Sequence, residues 1–219
     1  MKYKCIILDH DDTVVNSTAT IHYPSFIEYL KVTRPHISDK YTLEEFIRKN
    51  FSPGILSLFV DEVGLTQDEL NEEQQFWENF VNTRHPVAYQ GLSGILKRFR
   101  NEGGIIAVAS HSMTSFIIRD YENNGLPMPD VIYGWDIPKE KRKPSPFAAN
   151  DIMEKYSLSP SEILMIDDLK PGFDMARAAG IDFAAAGWGY DVPEIECFMR
   201  EHSDYYLSDV AELENLLFS

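Results

Sequence analysis

Five short apolar runs, at residues 3–8, 104–110, 130–133, 163–167 and 182–185, alternate with segments whose apolar residues recur at helical spacing, at 92–101, 115–123, 146–156 and 172–179. This alternation constrains the fold more than any other feature of the chain. Successive strands separated by a helix close as parallel crossovers, so the expected class is α/β, a doubly wound parallel sheet with helices on both faces.

Residues 15–86 break that grammar. No run there reads as a buried strand, and the apolar residues form helical stripes: Leu43, Phe46 and Ile47; Ile55, Leu58, Phe59 and Val63; Leu70, Trp77, Phe80 and Val81. Breakers at 50–54 and 64–67 separate them. The expected organisation is a discontinuous core, 1–14 with 87–219, and an all-helical cap at 15–86 that emerges beside the loop at 9–13. A module attached there is a candidate lid. The aromatic residues Phe76, Trp77 and Phe80 read as core packing.

Charge narrows the partners. Against 20 Lys and Arg stand 35 Asp and Glu, a formal charge of −15, which repels phosphate backbones and argues against nucleic acid and anionic membranes. Only Cys5 and Cys197 are present, no stretch reaches membrane-helix length, and the apolar run at 5–8 is too short for a signal core; the expectation is a reduced, cytoplasmic compartment. Oligomeric state is not set by the sequence.

The chemistry gathers where the apolar runs stop. Asp9, Asp11 and Asp12 end the first run and Asp167 and Asp168 end the fourth. Carboxylates 4 Å apart repel by about 4 kcal/mol at an effective dielectric of 20, so such a set needs positive charge among it. Either cluster alone reads as solvated acids capping helices. Two clusters at strand ends, opening on one sheet edge if the strands are neighbours, point to a hard divalent cation held through oxygen, and Mg²⁺ fits.

The stretch ILDHDDTVVNS resembles the first motif of the haloacid dehalogenase superfamily, Asp-x-Asp-x-Thr after an apolar strand. Residues 105–112, IIAVASHS, are similar to its second motif, Lys143-Pro144-Ser145-Pro146 to its third, and Ile166-Asp167-Asp168-Leu169-Lys170-Pro171-Gly172 to its fourth, in the acid-Asp-x-x-x-Gly form of beta-phosphoglucomutase-like members. Gly187-Trp188-Gly189-Tyr190 and the segment 203–217 also resemble the ends of phosphoglycolate phosphatase-like members. The resemblance covers the core in order and implies a Rossmann-like fold with an inserted type 1 cap. It further implies Asp9 as nucleophile and Asp11 as general acid and base. The Ser110 hydroxyl, the His111 main-chain N–H and Lys143 would serve the phosphoryl group, and Asp168 and Asp167 would hold Mg²⁺ together with Asp9 and the Asp11 carbonyl.

Three positions depart from the pattern. His10 stands where an apolar residue is common, Asp12 where Gly is common and Leu169 where Ser is common. His10 reads as a satisfied, partly buried histidine, and Asp12 as turned away from the metal, capping the next turn. The function implied is Mg²⁺-dependent hydrolysis of a small phosphorylated metabolite, with phosphoglycolate the nearest by resemblance. A phosphomutase and a non-catalytic phospho-ligand-binding module are the alternatives. In the cap, Arg48 is the candidate substrate contact; the competing reading is an exposed Arg on a helix face.

Overall fold

The computed structural model describes residues 1–219. Strand β1 (Cys5–Leu8) is wholly buried, as an apolar run in the middle of a parallel sheet must be. After a tight loop, β2 (Val15–Asn16) pairs antiparallel with β3 (Val87–Ala88), Val15 opposite Ala88. The chain divides into two compact units, residues 1–16 with 87–219, and 17–86. The boundary therefore falls two residues beyond the expected 14/15. Pairing with β3 and burial of Val15 in the sheet-bearing unit's core keep those residues with the first unit.

Residues 17–86 contain helices joined by loops and turns, and no strand. A π turn at Thr18–His22 leads into α1 (Tyr23–Thr33), followed by α2 (Leu43–Phe51), the single turn α3 (Ile55–Ser57), a π turn at Leu58–Glu62 and α4 (Gln67–Asn82). Thr42 with Glu45, and Thr66 with Glu69, form capping boxes that satisfy the first N–H groups of α2 and α4. Phe26, Tyr29, Leu30, Phe46, Leu58, Phe59, Val63 and Leu65 make this unit's own core, with Phe76 packed against it. Helix α1, which supplies three of those residues, is an element the stripes above did not single out.

Glu73 is the exception in this unit, a carboxyl on α4 only 8% exposed. Burial pushes its pKa from 4.5 up to about 7, opposed by His22, whose Nδ1 accepts from Trp77 Nε1 at 2.9 Å. Because the folded state binds this proton more tightly than the unfolded chain, stability present below about pH 4.5 is lost as pH rises through 7. Glu73→Gln is expected to flatten that decline, a difference on the order of 3 kcal/mol between the two ends. Thermal melts of wild type and variant at pH 4.5 and 8 measure it; an unchanged decline in the variant would reject the assignment.

The chain then continues through α5 (Leu92–Asn101), β4 (Ile105–Ala109), α6 (Thr114–Asn123), β5 (Val131–Tyr133), α7 (Phe147–Tyr156), β6 (Ile163–Asp167), α8 (Lys170–Ala179), β7 (Asp182–Ala186), α9 (Pro193–His202), β8 (Tyr205–Leu207) and α10 (Val210–Phe218). The sheet order is β5-β4-β1-β6-β7-β8 and every pair is parallel. The five runs read from the sequence are its first five strands. β8 is a sixth, a short edge strand with two half-buried tyrosines and too little apolar character to stand out. From β1 the chain builds outward to β4 and β5, then returns to lay β6 on the other side of β1. That reversal opens a crevice at the carboxyl end of β1, where doubly wound sheets bind ligands. No helix is long and apolar enough to cross a membrane.

Candidate active site

Register sets the centre of the site. Leu8 lies opposite Ile166, and Asp9 N–H donates to the Ile166 carbonyl at 2.8 Å, so Asp9 and Asp167 leave the sheet side by side. Oxygens of Asp9, Asp167 and Asp168 come within 4.8 Å of one another, and the three side chains are buried. Lys143 reaches across from the loop before α7: its Nζ donates to Asp9 Oδ1 at 2.8 Å and to Asp167 Oδ2 at 2.5 Å. Burial disfavours its charge, but Asp167 and Asp9 more than offset that and raise its pKa, so Lys143 is a cation at any ordinary pH.

One cation does not balance three acids. Burial and then the neighbouring Asp9 push Asp167 up to about 7 despite Lys143. Asp168 is raised well above the ordinary carboxylate range by burial, then by Asp167, Asp12 and Asp9. Ionising the whole set therefore needs more positive charge than Lys143 supplies, and a group of carboxylate oxygens alone fits a hard divalent cation.

Two of the three acids are also held by neutral donors. Thr13 Oγ1 donates to Asp168 Oδ1 at 3.0 Å, and Leu169 N–H donates to Asp167 Oδ1 at 2.7 Å at the start of α8. Gly172 explains the last position of the fourth motif, since a Cβ there would lie 2.1 Å from Asp167 Oδ2. Asp11, half-buried, is set apart from the three: its Oδ2 accepts from Ser112 Oγ at 2.6 Å. Ser110, at the end of β4, accepts from Ser112 N–H at 3.0 Å, which leaves its own proton to donate. His111 Nε2 lies 3.0 Å from the Lys143 carbonyl and donates to it, pinning the backbone that aims Lys143.

Thus six of the expected residues, Asp9, Asp11, Ser110, His111, Asp167 and Asp168, lie at or just beyond the ends of β1, β4 and β6, and a seventh, Lys143, joins them from the loop before α7. Arg48 belongs to the other unit, on α2, where it pairs with Glu44 one turn earlier.

The departures from the family pattern have local causes. Asp12 has φ +55°, the left-handed region that favours Gly, with its N–H donating to the Val15 carbonyl at 2.8 Å. It is buried, and its charge is one of those raising Asp168. His10 is not partly but fully buried, at 1% exposure. Its Nε2 donates to Asp120 Oδ2 at 3.2 Å, Asp120 in turn being paired with Arg119, while Nδ1 has no partner. The reading of a satisfied histidine therefore holds for one ring nitrogen only.

Residue-by-residue reading missed the roles of Ser112 and Thr13, both present in the motifs as quoted. It also missed Trp188 and Tyr190, whose indole and phenol donate to the main-chain carbonyls of Thr13 and Asp168. Their only signal was the Gly-Trp-Gly-Tyr string itself.

Residues 6–186 match the family model described as haloacid dehalogenase-like hydrolase. A phosphoglycolate phosphatase of Vibrio vulnificus is 27% identical over 152 residues, 67% of this chain and 65% of that enzyme, so the match spans just under two thirds of the relative's length. Among solved structures, a Bacteroides fragilis protein assigned to the haloacid dehalogenase-like hydrolases superposes with a TM-score of 0.80 at 21% identity, covering 97% of this chain and all of that one. A Haemophilus somnus protein predicted to be a phosphoglycolate phosphatase gives 0.77 at 19%, covering 99% and 98%. At these identities the two structures establish a shared fold.

Proposed function

Because the chain belongs to the haloacid dehalogenase-like hydrolase family, we propose that it is a Mg²⁺-dependent phosphomonoesterase acting on a small phosphorylated metabolite, with Asp9 as nucleophile. One observation carries the reading: Asp9 shares Lys143 with Asp167 in a buried cluster of three acids that remains short of positive charge. Such a site is built to receive a cation together with a phosphoryl group.

Asp9, Asp167 and Asp168, with the Asp11 main-chain carbonyl, would hold Mg²⁺. When bound, the ion supplies charge neutralisation for phosphoryl oxygens. Asp9 attacks phosphorus, forming an aspartyl-phosphate as the ester P–O bond breaks. Asp11, its carboxyl oriented by Ser112, gives its proton to the departing oxygen and later removes one from the water that attacks phosphorus. That second step releases inorganic phosphate and restores the Asp9 carboxylate. The Ser110 hydroxyl, the His111 N–H and Lys143 stabilise the charge on the transferring group. Phosphoglycolate is the first substrate to try, since the Vibrio vulnificus relative carries that name.

The test is phosphate release from a panel that includes phosphoglycolate, sugar phosphates and nucleotides, with Mg²⁺ and with chelator. Turnover that needs Mg²⁺ and falls at least about 100-fold with chelator is expected. Release unaffected by chelator, or none from any ester, would overturn the reading.

A further inference from the structure

We propose that the loop following β7, Trp188-Gly189-Tyr190, is a clamp that fixes the two acidic loops at metal-binding separation, and that Tyr190 and Trp188 are positioning residues for the divalent cation. The inference rests on the reading that Asp9, Asp167 and Asp168 hold such a cation.

The loop touches both acidic turns at once. Trp188 Nε1 donates to the Thr13 carbonyl at 3.1 Å, on the turn after β1, and Tyr190 OH donates to the Asp168 carbonyl at 2.9 Å, on the turn after β6. Between them Gly189 packs so tightly that a Cβ would lie 2.8 Å from the Asp12 carbonyl. The two turns are joined directly by Thr13 Oγ1 to Asp168 Oδ1 at 3.0 Å, so the loop closes a ring: Trp188 to Thr13, Thr13 to Asp168, Asp168 to Tyr190. Tyr89 meets the Trp188 ring edge-on, centroids 6.4 Å apart, and fixes the indole from behind.

Such a clamp has a physical task. Asp9, Asp12, Asp167 and Asp168 are all buried, and in the ionised form that a cation requires they repel one another and load the β1 and β6 turns. Main-chain carbonyls held by an indole and a phenol resist that load without adding charge. Groups that orient ligands without touching the metal typically account for 10- to 100-fold in affinity.

Tyr190→Phe removes one hydroxyl and keeps the ring. Calorimetric titration of the metal-free protein with MgCl₂ alone, in the absence of substrate, is expected to give a Kd raised about 10-fold in Tyr190→Phe and by a similar factor in Trp188→Phe. The melting temperature of the metal-free protein is expected to fall by no more than the few degrees that loss of one hydrogen bond entails. Wild-type Mg²⁺ binding with an unchanged Kd in both variants would overturn the clamp while leaving the phosphatase reading intact. A lowered metal-free melting temperature with unchanged Kd would show a packing role only, and overturn it too. Absence of Mg²⁺ binding by wild type would remove the metal reading and the clamp with it. If Tyr190→Phe does not fold, Trp188→Phe decides by the same criteria.

Discussion

Replacing Asp9 with Asn leaves a folded protein whose phosphate release falls on the order of 10⁴-fold or more. The amide is nearly isosteric but a far weaker nucleophile, so the loss falls on the chemical step and not on the fold. Lys143 keeps its 2.5 Å partner in Asp167, and removing the Asp9 charge takes away one of the contributions that hold Asp167 up. Metal-free thermal stability is therefore expected to stay level or rise slightly. Phosphate release against the best ester of the panel, alongside a melting curve, measures both. Residual activity within about tenfold of wild type would exclude Asp9 as the attacking group.

Lys143→Met is expected to be damaging twice over. The side chain is 5% exposed, between two carboxylates that are 7% and 0% exposed, and withdrawing the cation leaves both buried without a compensating charge. Breaking one member out of a buried ion pair typically costs about 3–5 kcal/mol, readable as a fall in denaturant midpoint for the metal-free protein. Activity should drop by at least about 10²-fold even at saturating Mg²⁺, because the charge that faces the transferring group is gone. The double change Lys143→Met with Asp167→Asn recovers part of the stability and none of the activity. Equal midpoints for wild type and Lys143→Met would mean that the cation does not compensate the acids.

Much of this was legible in the chain because parallel central strands are buried on both faces. β1, β4, β6 and β7 must be nearly continuous apolar runs, and the first polar residue after each marks where the sheet ends. Asp9 and Asp167 could thus be found by position alone, with Asp11 and Asp168 beside them, and the resemblance to the family motifs brought in Ser110, His111 and Lys143. Elements with weaker signals were not found. β8 carries tyrosines that are half-buried at a sheet edge, and β2 and β3 are two residues each and gain strand character only by pairing with one another.

The sequence by itself determined the fold class, the helical insertion and the residue types at the strand ends, since these follow from local apolar periodicity and motif spacing along one chain. Only the tertiary structure decided which acids are short of positive charge, that Asp12 joins them in the buried set, that His10 satisfies one nitrogen and not the other, and that Trp188 and Tyr190 hold both acidic turns. The physical reason is common to all four. Burial, field and hydrogen-bond partner are properties of groups brought together from positions as far apart as 13 and 188, and no periodicity within either segment encodes the meeting.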